Sequence, residues 1–201
     1  MKRLLLISAL LLFASNGWAY SEADVAKLQA LNSCIGCDLT DSDLKGFKLR
    51  AVDLTDANLT NADLSGVDLG SGFLDDGTTN LTNTNLTNAN LADAKLYGVF
   101  GTGAKFINAN LTNTSIYGWF TMSKFTNANL SGSDLADSQF IGADLSGANF
   151  TGANLNNVQL ISTNLTGANF TGANLKGANL KGAKYCKTQM PWGELNDDCE
   201  E

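Results

Sequence analysis

The residues "GANFTGANLKGANLKGAKY", from Gly167 to Tyr185, repeat one five-residue unit without interruption. Each unit places Leu, Phe or Tyr five residues after the last one, and a small residue stands two positions before it. The same rhythm extends back to Leu39 with a few breaks. A period of five matches neither an α-helix, at 3.6, nor a plain strand, at 2. The chain is therefore expected to turn a corner every five residues.

Four such corners close a square, so one coil takes about twenty residues. Stacked coils can pair as parallel strands about 4.8 Å apart. The Leu or Phe of each unit then points inward, together with the small residue two places before it. The pattern predicts an all-β solenoid of about seven coils, preceded by a short helix over Ser21 to Leu31, where apolar residues have helical spacing.

The repeats "ADLSGANFTGANL" (Ala143 to Leu155) and Gly167 to Tyr185 resemble the pentapeptide repeat family, and the resemblance covers about Cys37 to Tyr185. It implies a right-handed quadrilateral parallel β-helix. Both ends resemble exported members from cyanobacteria and plastid lumens. We divide the chain into a signal peptide (1–19), an N-terminal cap (20–36), the β-helix (37–187) and a C-terminal cap with an acidic tail (188–201).

The N-terminal segment "MKRLLLISALLLFASNGWA" has a basic start, a short apolar run and small residues at its end, as signal peptides do. An uncleaved anchor is the alternative, although the run is short for a membrane span. The mature chain is expected to begin near Tyr20, in a periplasm, a secreted fraction or, in a photosynthetic source, the thylakoid lumen. No stable membrane anchor is expected after cleavage.

The composition disfavours several functions. The chain has 13 basic and 20 acidic residues, which makes nucleic acid and anionic membranes poor partners. It has no histidine, the commonest general base and metal ligand near neutral pH. We therefore expect a protein that is not an enzyme and uses neither a cofactor nor a metal.

The four cysteines lie in two pairs, Cys34 with Cys37 and Cys186 with Cys199, at opposite ends of the predicted solenoid. About seven layers, roughly 35 Å, separate the ends, whereas a disulfide needs Cα atoms within about 7 Å. Both cross-pairings are thereby excluded, which leaves Cys34–Cys37 and Cys186–Cys199. The alternative for Cys34-Ile35-Gly36-Cys37 is a thioredoxin-like redox pair, but the strand-to-helix context of that motif is absent.

Two similar stretches, "LYGVFGTGAKF" from Leu96 and "IYGWFTMSKF" from Ile116, break the rhythm. Counting apolar residues places Leu54, Leu74, Leu96 and Ile116 on one side of the square, and Leu59, Leu81, Phe100, Phe120 and Phe140 on the next. Three length changes then fall at one corner: two residues gained after Leu74, and one lost after Leu96 and after Ile116. We expect Tyr97 against Tyr117, Val99 against Trp119, and an inward ladder of Phe100, Phe120 and Phe140. The candidate binding patch comprises Asp75, Asp76, Tyr97, Tyr117, Trp119 and Asp137.

Two interpretations of this edge stay open. Aromatic faces beside carboxylates suit a protein or small-ligand partner; alternatively, the corner is adjusted to a phenylalanine ladder. For the whole chain, we favour an exported non-enzymatic scaffold or binding module. One alternative is a protein similar to the gyrase-protecting, DNA-mimicking members of the family, which the export signal opposes. The other is a redox protein that uses Cys34 and Cys37.

Overall fold

The computed structural model describes residues 21–70 and 77–199. The predicted signal peptide, Asp75 and Asp76 lie outside the described residues. The elements are α1 (Glu22–Leu31), β1 (Lys95–Phe100), β2 (Ser115–Trp119), β3 (Thr188–Met190) and β4 (Gly193–Leu195). No helix in the described ranges is long and apolar enough to cross a bilayer.

Short parallel pairings, repeated along the chain, stack it into a solenoid. Asp144, for example, pairs with Lys124 in the coil before it and with Asn164 in the coil after it. The pairings define four faces, A to D, in seven complete coils and three sides of an eighth. Ser33 already pairs with Asp53, so the first coil begins inside the range that we assigned to the N-terminal cap.

Each face has one column of inward residues. Face A carries Cys34, Leu54, Leu81, Gly101, Phe120, Phe140, Leu160 and Leu180. Face B carries Leu39, Leu59, Leu86, Phe106, Phe125, Leu145, Leu165 and Tyr185. Face C carries Leu44, Leu64, Leu91, Leu111, Leu130, Phe150, Phe170 and Met190. Face D carries Leu49, Leu69, Leu96, Ile116, Leu135, Leu155 and Leu175.

The polar residues of each unit build the corners. The Oδ1 atom of Asn80, just before inward Leu81, accepts a hydrogen bond from the N–H of Thr82 at 3.0 Å. Asn83, two residues after Leu81, has a left-handed backbone with φ 57°. Asn, Asp and Gly adopt this conformation at the least cost, which explains why they dominate that position. The local sequence of each unit thus specifies its own turn.

Asparagine ladders connect the coils on the outside. On face C, the side-chain N–H of Asn110 donates to Asn90 Oδ1 at 3.0 Å, and that of Asn149 donates to Asn129 Oδ1 at 3.1 Å. Inside, the predicted alternation is confirmed: the inward Leu and Phe of the interior coils are buried, as are the small residues such as Ala109. Burying one such large side chain contributes about 1.5–3 kcal/mol, and this burial is repeated on every face of the interior coils.

The side assignment made by counting apolar residues is wrong for Leu54 and Leu59, whereas Leu81 lies on one face with Phe120 and Phe140, as assigned. Leu54 pairs with the position of Leu81, 27 residues later, and Leu69 with that of Leu96. Leu54 therefore belongs to face A, and the second coil is seven residues longer than a regular one, not two. Leu74, which we had assigned to the side that carries Leu96, lies outside the described residues. Leu69 occupies that position, on face D. The physical reason is that hydrogen-bonded pairing, rather than the spacing of leucines, fixes which sides stack.

Both ends are closed in part by other elements. At the N-terminal end α1 covers the first coil with Leu28, which is buried, whereas Leu31, expected on the same apolar stripe, is 66% exposed because the helix ends there at left-handed Asn32. At the other end β4 pairs antiparallel with β3. Disulfides join Cys34 to Cys37 and Cys186 to Cys199, each with an S–S distance of 2.02 Å, the pairing that the distance argument left.

Candidate functional site

The corner between faces D and A carries four partly exposed aromatic side chains in two successive coils. We call Tyr97, Phe100, Tyr117 and Trp119 the outer aromatic cluster. Tyr97 pairs with Tyr117 in the parallel register of β1 and β2, as predicted from the sequence. The rings of Tyr117 and Trp119 meet edge to face at 6.0 Å. The sequence thus located the corner and three of its four aromatic residues.

Phe100 is the residue that the sequence interpretation misplaced. It was expected inside the solenoid, above Phe120, but it is 42% exposed and its ring stacks on that of Trp119 with centroids 4.8 Å apart and planes 19° from parallel. Its backbone partner is Trp119, and Val99 pairs with Gly118 rather than with Trp119. The predicted contact of Val99 with Trp119 is therefore wrong.

Gly101 explains why Phe100 points outward. Gly101 stands five residues after Leu96, on the regular inward position of face A, and it is buried. A Cβ atom at Gly101 would lie 2.5 Å from Cδ1 of Phe120 in the next coil. The ring of Phe120 thus fills the space that a side chain at Gly101 would use. The step from Leu96 is regular, and the shortened step that we predicted there does not exist.

Inside this part of the solenoid lies an inner aromatic cluster of Phe106, Phe120, Phe125 and Phe140. Phe106 stacks on Phe125 at 4.4 Å and Phe120 on Phe140 at 5.3 Å, and the two stacks meet edge to face. The predicted ladder of Phe100, Phe120 and Phe140 is therefore corrected to two stacks, on faces A and B, without Phe100. Such pairs add about 0.5–1.5 kcal/mol each beyond the area that they bury.

The predicted shortening of the step after Ile116 is confirmed, and it corresponds to one missing turn residue. From Ile116 the next inward residue of face A is Phe120, four residues later. In the coil before, left-handed Gly98 with φ 68° stands between Tyr97 and Val99, and it has no counterpart opposite, between Tyr117 and Gly118. The fourth coil lacks its turn residue. No side chain fits at Gly118 either, because a Cβ there would lie 2.5 Å from the Val99 carbonyl oxygen.

The carboxylates of the predicted patch do not join the cluster in the described structure. Asp137 is the left-handed turn residue of the next coil, φ 61°, and its Oδ1 accepts a hydrogen bond from Asn157 at 3.1 Å. Its position at the same corner is as expected, but its contacts are those of a turn. Asp75 and Asp76 stay a prediction.

The outer aromatic cluster interrupts a polar surface. On face A the residue just outside the inward position is Asn80 before the cluster and Gln139 after it, where the cluster has Phe100 and Trp119. Met122, at the following corner, is 66% exposed. The stacked rings of Phe100 and Trp119 each cover one face of the other, and Phe100 stays 42% exposed. This surface is suited to van der Waals contact with a partner's side chains.

The pair Cys34–Cys37 lacks the strand-to-helix context of a thioredoxin-like site, because α1 precedes it and no helix follows it within the described residues. Cys34 and Cys37 are 0% and 4% exposed beneath α1, where the Lys27 ammonium lies 3.6 Å from Cys37 Sγ. Asp24 brings a carboxylate within 4.8 Å of both sulfurs. The two sulfurs are bonded to each other, so in this oxidised state neither is a thiolate.

A separate hollow of about 390 Å³ lies beside α1 at the first coil, lined by Leu28, Phe47 and Lys45 among others. The Lys45 ammonium there lies 3.2 Å from the Asp63 carboxylate, which together with Asp43 raises the pKa of Lys45. Among the described residues that line this hollow, the lysines are the only charged side chains.

Phe100 and Gly101 are the site residues that sequence reasoning missed. The usable signal was the strict step of five from Leu96 through Gly101 to Phe106. We counted instead to the nearest large apolar residue, which was Phe100.

The comparisons with known proteins agree on one class. The model of "Pentapeptide repeats (8 copies)" matches residues 33–70 and 79–116, and that of "Pentapeptide repeat region" matches residues 118–190. No curated protein is significantly similar to the chain.

Solved structures of the same class are similar. A trypsin-treated variant of QnrB1, a plasmid-mediated fluoroquinolone resistance protein, is 17% identical over 76% of this chain and 80% of its own, with a TM-score of 0.51. HetL of Nostoc sp. strain PCC 7120, involved in heterocyst differentiation regulation, is 24% identical over 81% and 91%, with a TM-score of 0.34. A protein of the Arabidopsis thaliana thylakoid lumen is 25% identical over 68% and 74%, with a TM-score of 0.19.

Proposed function

Because the chain belongs to the pentapeptide repeat family, whose members form right-handed quadrilateral β-helices, we propose that it is an exported, non-enzymatic scaffold that binds a protein partner. The outer aromatic cluster is the contact surface. The observation that carries the proposal is the stack of Phe100 on Trp119 outside the solenoid, at positions where the neighbouring coils have amides.

Packing of the solenoid core does not explain an aromatic stack on the outer surface. Two interpretations of this corner were open: a binding site for a partner, or a local adjustment to an inward phenylalanine ladder. Phe100 takes no part in the inner aromatic cluster, since it lies on the other side of the sheet. Packing of the core therefore accounts for Phe120 and Gly101 but not for Phe100 and Trp119. Exposed aromatic residues grouped on a polar surface are typical of contact sites.

A protein partner fits better than a sugar. Sugars usually lie flat on an exposed aromatic face, but here Phe100 and Trp119, with planes 19° from parallel, each cover one face of the other ring. Their edges, with Tyr117 beside them, offer an irregular apolar surface. Such a surface is complementary to apolar side chains of a protein, for which aromatic residues are the common anchors.

Export is supported by the N-terminal sequence and the disulfides. Residues 1–19 have the three parts of a signal peptide. Disulfides persist in oxidising compartments, and both cysteine pairs are bonded here. The proposed location is therefore extracytoplasmic, with the mature chain beginning near Tyr20.

The competing functions have less support. A mimic of DNA needs regular rows of negative charge, but within the described ranges no outward column carries three carboxylates in succession; the long column of face C is asparagine from Asn90 to Asn169. The similarity to QnrB1 shows a common fold and gives no evidence of a common function. The absence of histidine from the sequence, and the burial of Cys34 and Cys37 beneath α1, support a non-enzymatic role.

The proposal can be tested with substitutions that restore the surface of the neighbouring coils. We would change Phe100→Asn and Trp119→Gln together, since Asn80 and Gln139 occupy the same column. Gln159→Ala, farther along that column, is the matched control. Partners captured from the native extracytoplasmic fraction by the wild type would be purified, and their affinity measured for all three proteins.

We expect the double variant to fold and melt like the wild type while losing affinity by about thirtyfold or more, the scale of an aromatic anchor worth about 2 kcal/mol. The control should bind like the wild type. A double variant that melts far earlier would show a structural role for the stack, and one that binds with unchanged affinity would refute the proposed contact surface.

A further inference from the structure

Positive charge in the middle of the solenoid is confined to the surroundings of the outer aromatic cluster. Between Ala51 and Leu175 the sequence contains three basic residues, Lys95, Lys105 and Lys124. All three side chains are exposed. Lys95 lies on face D, just before the cluster, and the other two lysines lie on face B, just after it. The coils that carry the cluster are thus also the coils that carry the positive charge.

Lys105 and Lys124 form a pair of like charges on face B. They are paired directly in successive coils, whose strands are about 4.8 Å apart. Among the described residues, neither ammonium lies within ion-pair distance of a carboxylate. Asp144, the next residue of the column, accepts hydrogen bonds from Thr126 and Asn164 instead. Like charges directly opposite each other on neighbouring strands are destabilising, so the stability of the fold does not explain this pair.

The turn between Trp119 and Lys124 departs from the repeat in a second way. Met122 occupies its left-handed position, with φ 57°, where the coils before and after have Gly103 and Gly142. An ordinary side chain in this backbone region is unfavourable, and that of Met122 is 66% exposed. It lies at the corner between faces A and B, between the aromatic cluster and the lysines. Both departures therefore enlarge one surface, which is apolar on face A and positive on face B.

We infer that this surface binds an acidic segment of the partner protein, with an apolar side chain of the segment on the outer aromatic cluster and its carboxylates on Lys105 and Lys124. This inference rests on the proposed function and names the class of partner. Phe100 and Lys105 are five residues apart, as are Trp119 and Lys124. The Cα atoms of each pair are therefore at most about 18 Å apart, a distance that about six extended residues of a partner would span.

The charge close to this surface matters more than the net charge of −7. At about 0.15 M salt the Debye length is about 8 Å, so distant carboxylates are largely screened. From Gly77 to Ser133 the sequence has one acidic residue, Asp93. It lies at the corner between faces C and D, diagonally opposite the corner of Met122. The potential beside the cluster is therefore positive, and it attracts an acidic segment.

Single-stranded nucleic acid is the other kind of polymer that binds to lysines and aromatic residues. Its bases stack on open ring faces, along a groove lined with positive charge. Here Phe100 and Trp119 each cover one face of the other ring, and the lysines near them are three. A carboxylate-bearing protein segment with an apolar side chain fits this arrangement better, because it needs neither open ring faces nor a continuous basic groove.

The test begins with a library of random linear peptides displayed for selection on the full chain. Selected peptides should be enriched in Asp and Glu near Leu, Phe or Trp. Association and dissociation rates of the strongest binder are then measured for the wild type and for Lys105→Asn with Lys124→Asn, since Asn85 precedes both lysines in the column. Lys184→Asn, an exposed change farther along the same column, is the matched control.

The lysine double variant should bind the peptide with an association rate about tenfold lower at low salt, with a weaker dependence on salt and a nearly unchanged dissociation rate. It should melt no earlier than the wild type, because it removes the pair of like charges. Replacing both lysines with arginine should keep association fast, and the Lys184→Asn control should bind like the wild type. The variant Phe100→Asn with Trp119→Gln should instead speed dissociation, as the loss of an anchor does.

The lysines and the aromatic residues can thus fail separately. Selected peptides without an excess of acidic residues, or a lysine variant that binds like the wild type, would overturn this inference while an effect of the aromatic variant would still support the proposed function. A peptide that depends on the lysines but not on Phe100 and Trp119 would refute the proposed function, and with it the anchor inferred here. Selection of no peptide, or tighter binding of a single-stranded oligothymidylate than of any selected peptide, would also overturn the inference.

Discussion

Phe120 occupies the space next to Gly101, so that a Cβ atom added at Gly101 would lie 2.5 Å from one ring carbon and 2.7 Å from another. The two residues are successive members of the same inward column, one coil apart. A large ring in one coil is thus matched by the absence of a side chain in the coil before it. Because interiors are close-packed, these two positions are expected to be energetically coupled.

Gly101→Ala should destabilise the fold by about 1–3 kcal/mol, because the added methyl group overpacks the core against Phe120. The free energy of unfolding in denaturant measures the effect. In a Phe120→Leu background the same change should cost clearly less, since the ring that it meets is gone. Equal costs in the two backgrounds would contradict the coupling.

Met122→Asn should stabilise the protein by about 1 kcal/mol, because Asn adopts a left-handed backbone at lower cost than residues with an ordinary side chain. Met122 has φ 57° and is 66% exposed, so its backbone is strained without compensating burial. The free energy of unfolding measures the gain. Met122→Ala is the control, because it removes the side chain but keeps the strain; a gain for Ala as large as that for Asn would assign the effect to the exposed side chain instead.

The stability of the protein should depend on pH through Asp144. Burial alone would raise the pKa of Asp144, but hydrogen bonds from Ser146, Thr126 and Asn164 outweigh it and lower the pKa below its ordinary value of 3.8. A lowered folded-state pKa means that this carboxylate's contribution is complete above the unfolded-state value and is lost as the pH falls through the folded-state value.

The measurement for Asp144 is the difference in unfolding free energy between the wild type and Asp144→Asn. This difference should be constant at neutral and mildly acidic pH and should shrink as the pH falls below the ordinary carboxyl range. Asn149→Ala, which changes an outward residue of the same coil without removing an ionisable group, is the control. A difference that grows on acidification would mean that the sign of the pKa shift is wrong.

The two disulfides should be reduced in a fixed order. Cys199 is exposed and Cys186 partly so, whereas Cys34 and Cys37 are 0% and 4% exposed. Under a limiting dithiol, alkylation and mass spectrometry should therefore find free Cys186 and Cys199 first. Their bridge closes a loop of 13 residues, which the loop-entropy model values at about 3 kcal/mol, so amides of β4 should then exchange faster than those of the inner coils. Simultaneous release of all four thiols would refute this order.

The regular coils could be predicted from the sequence because the residues that form each turn lie within the same five-residue unit. The side chain of Asn80 fixes the turn at Thr82, and Asn83 supplies the left-handed residue. The disulfide pairing followed from length alone, since no solenoid of this many coils brings Cys37 near Cys199.

The errors arose where the decisive contact comes from another coil. The step of five marks Gly101 as an inward position, but only the ring of Phe120 in the next coil shows why a glycine can stand there beside the larger, apolar Phe100. Similarly, Leu54 stacks with Leu81 because of the hydrogen bonds between their coils, which the spacing of leucines does not reveal. The outer position of Phe100, and with it one of the four members of the outer aromatic cluster, was hidden for this reason.

The missing turn residue between Tyr117 and Gly118 has a consequence for how such a chain can change over evolutionary time. The coils on both sides of this gap stay aligned, because every face renews its own register. A deletion at a corner is therefore absorbed locally, whereas a deletion within a face would turn inward residues outward. Length differences between descendants of one ancestor should collect at corners. The sequences of such descendants are therefore best aligned face by face, with insertions and deletions placed at the corners.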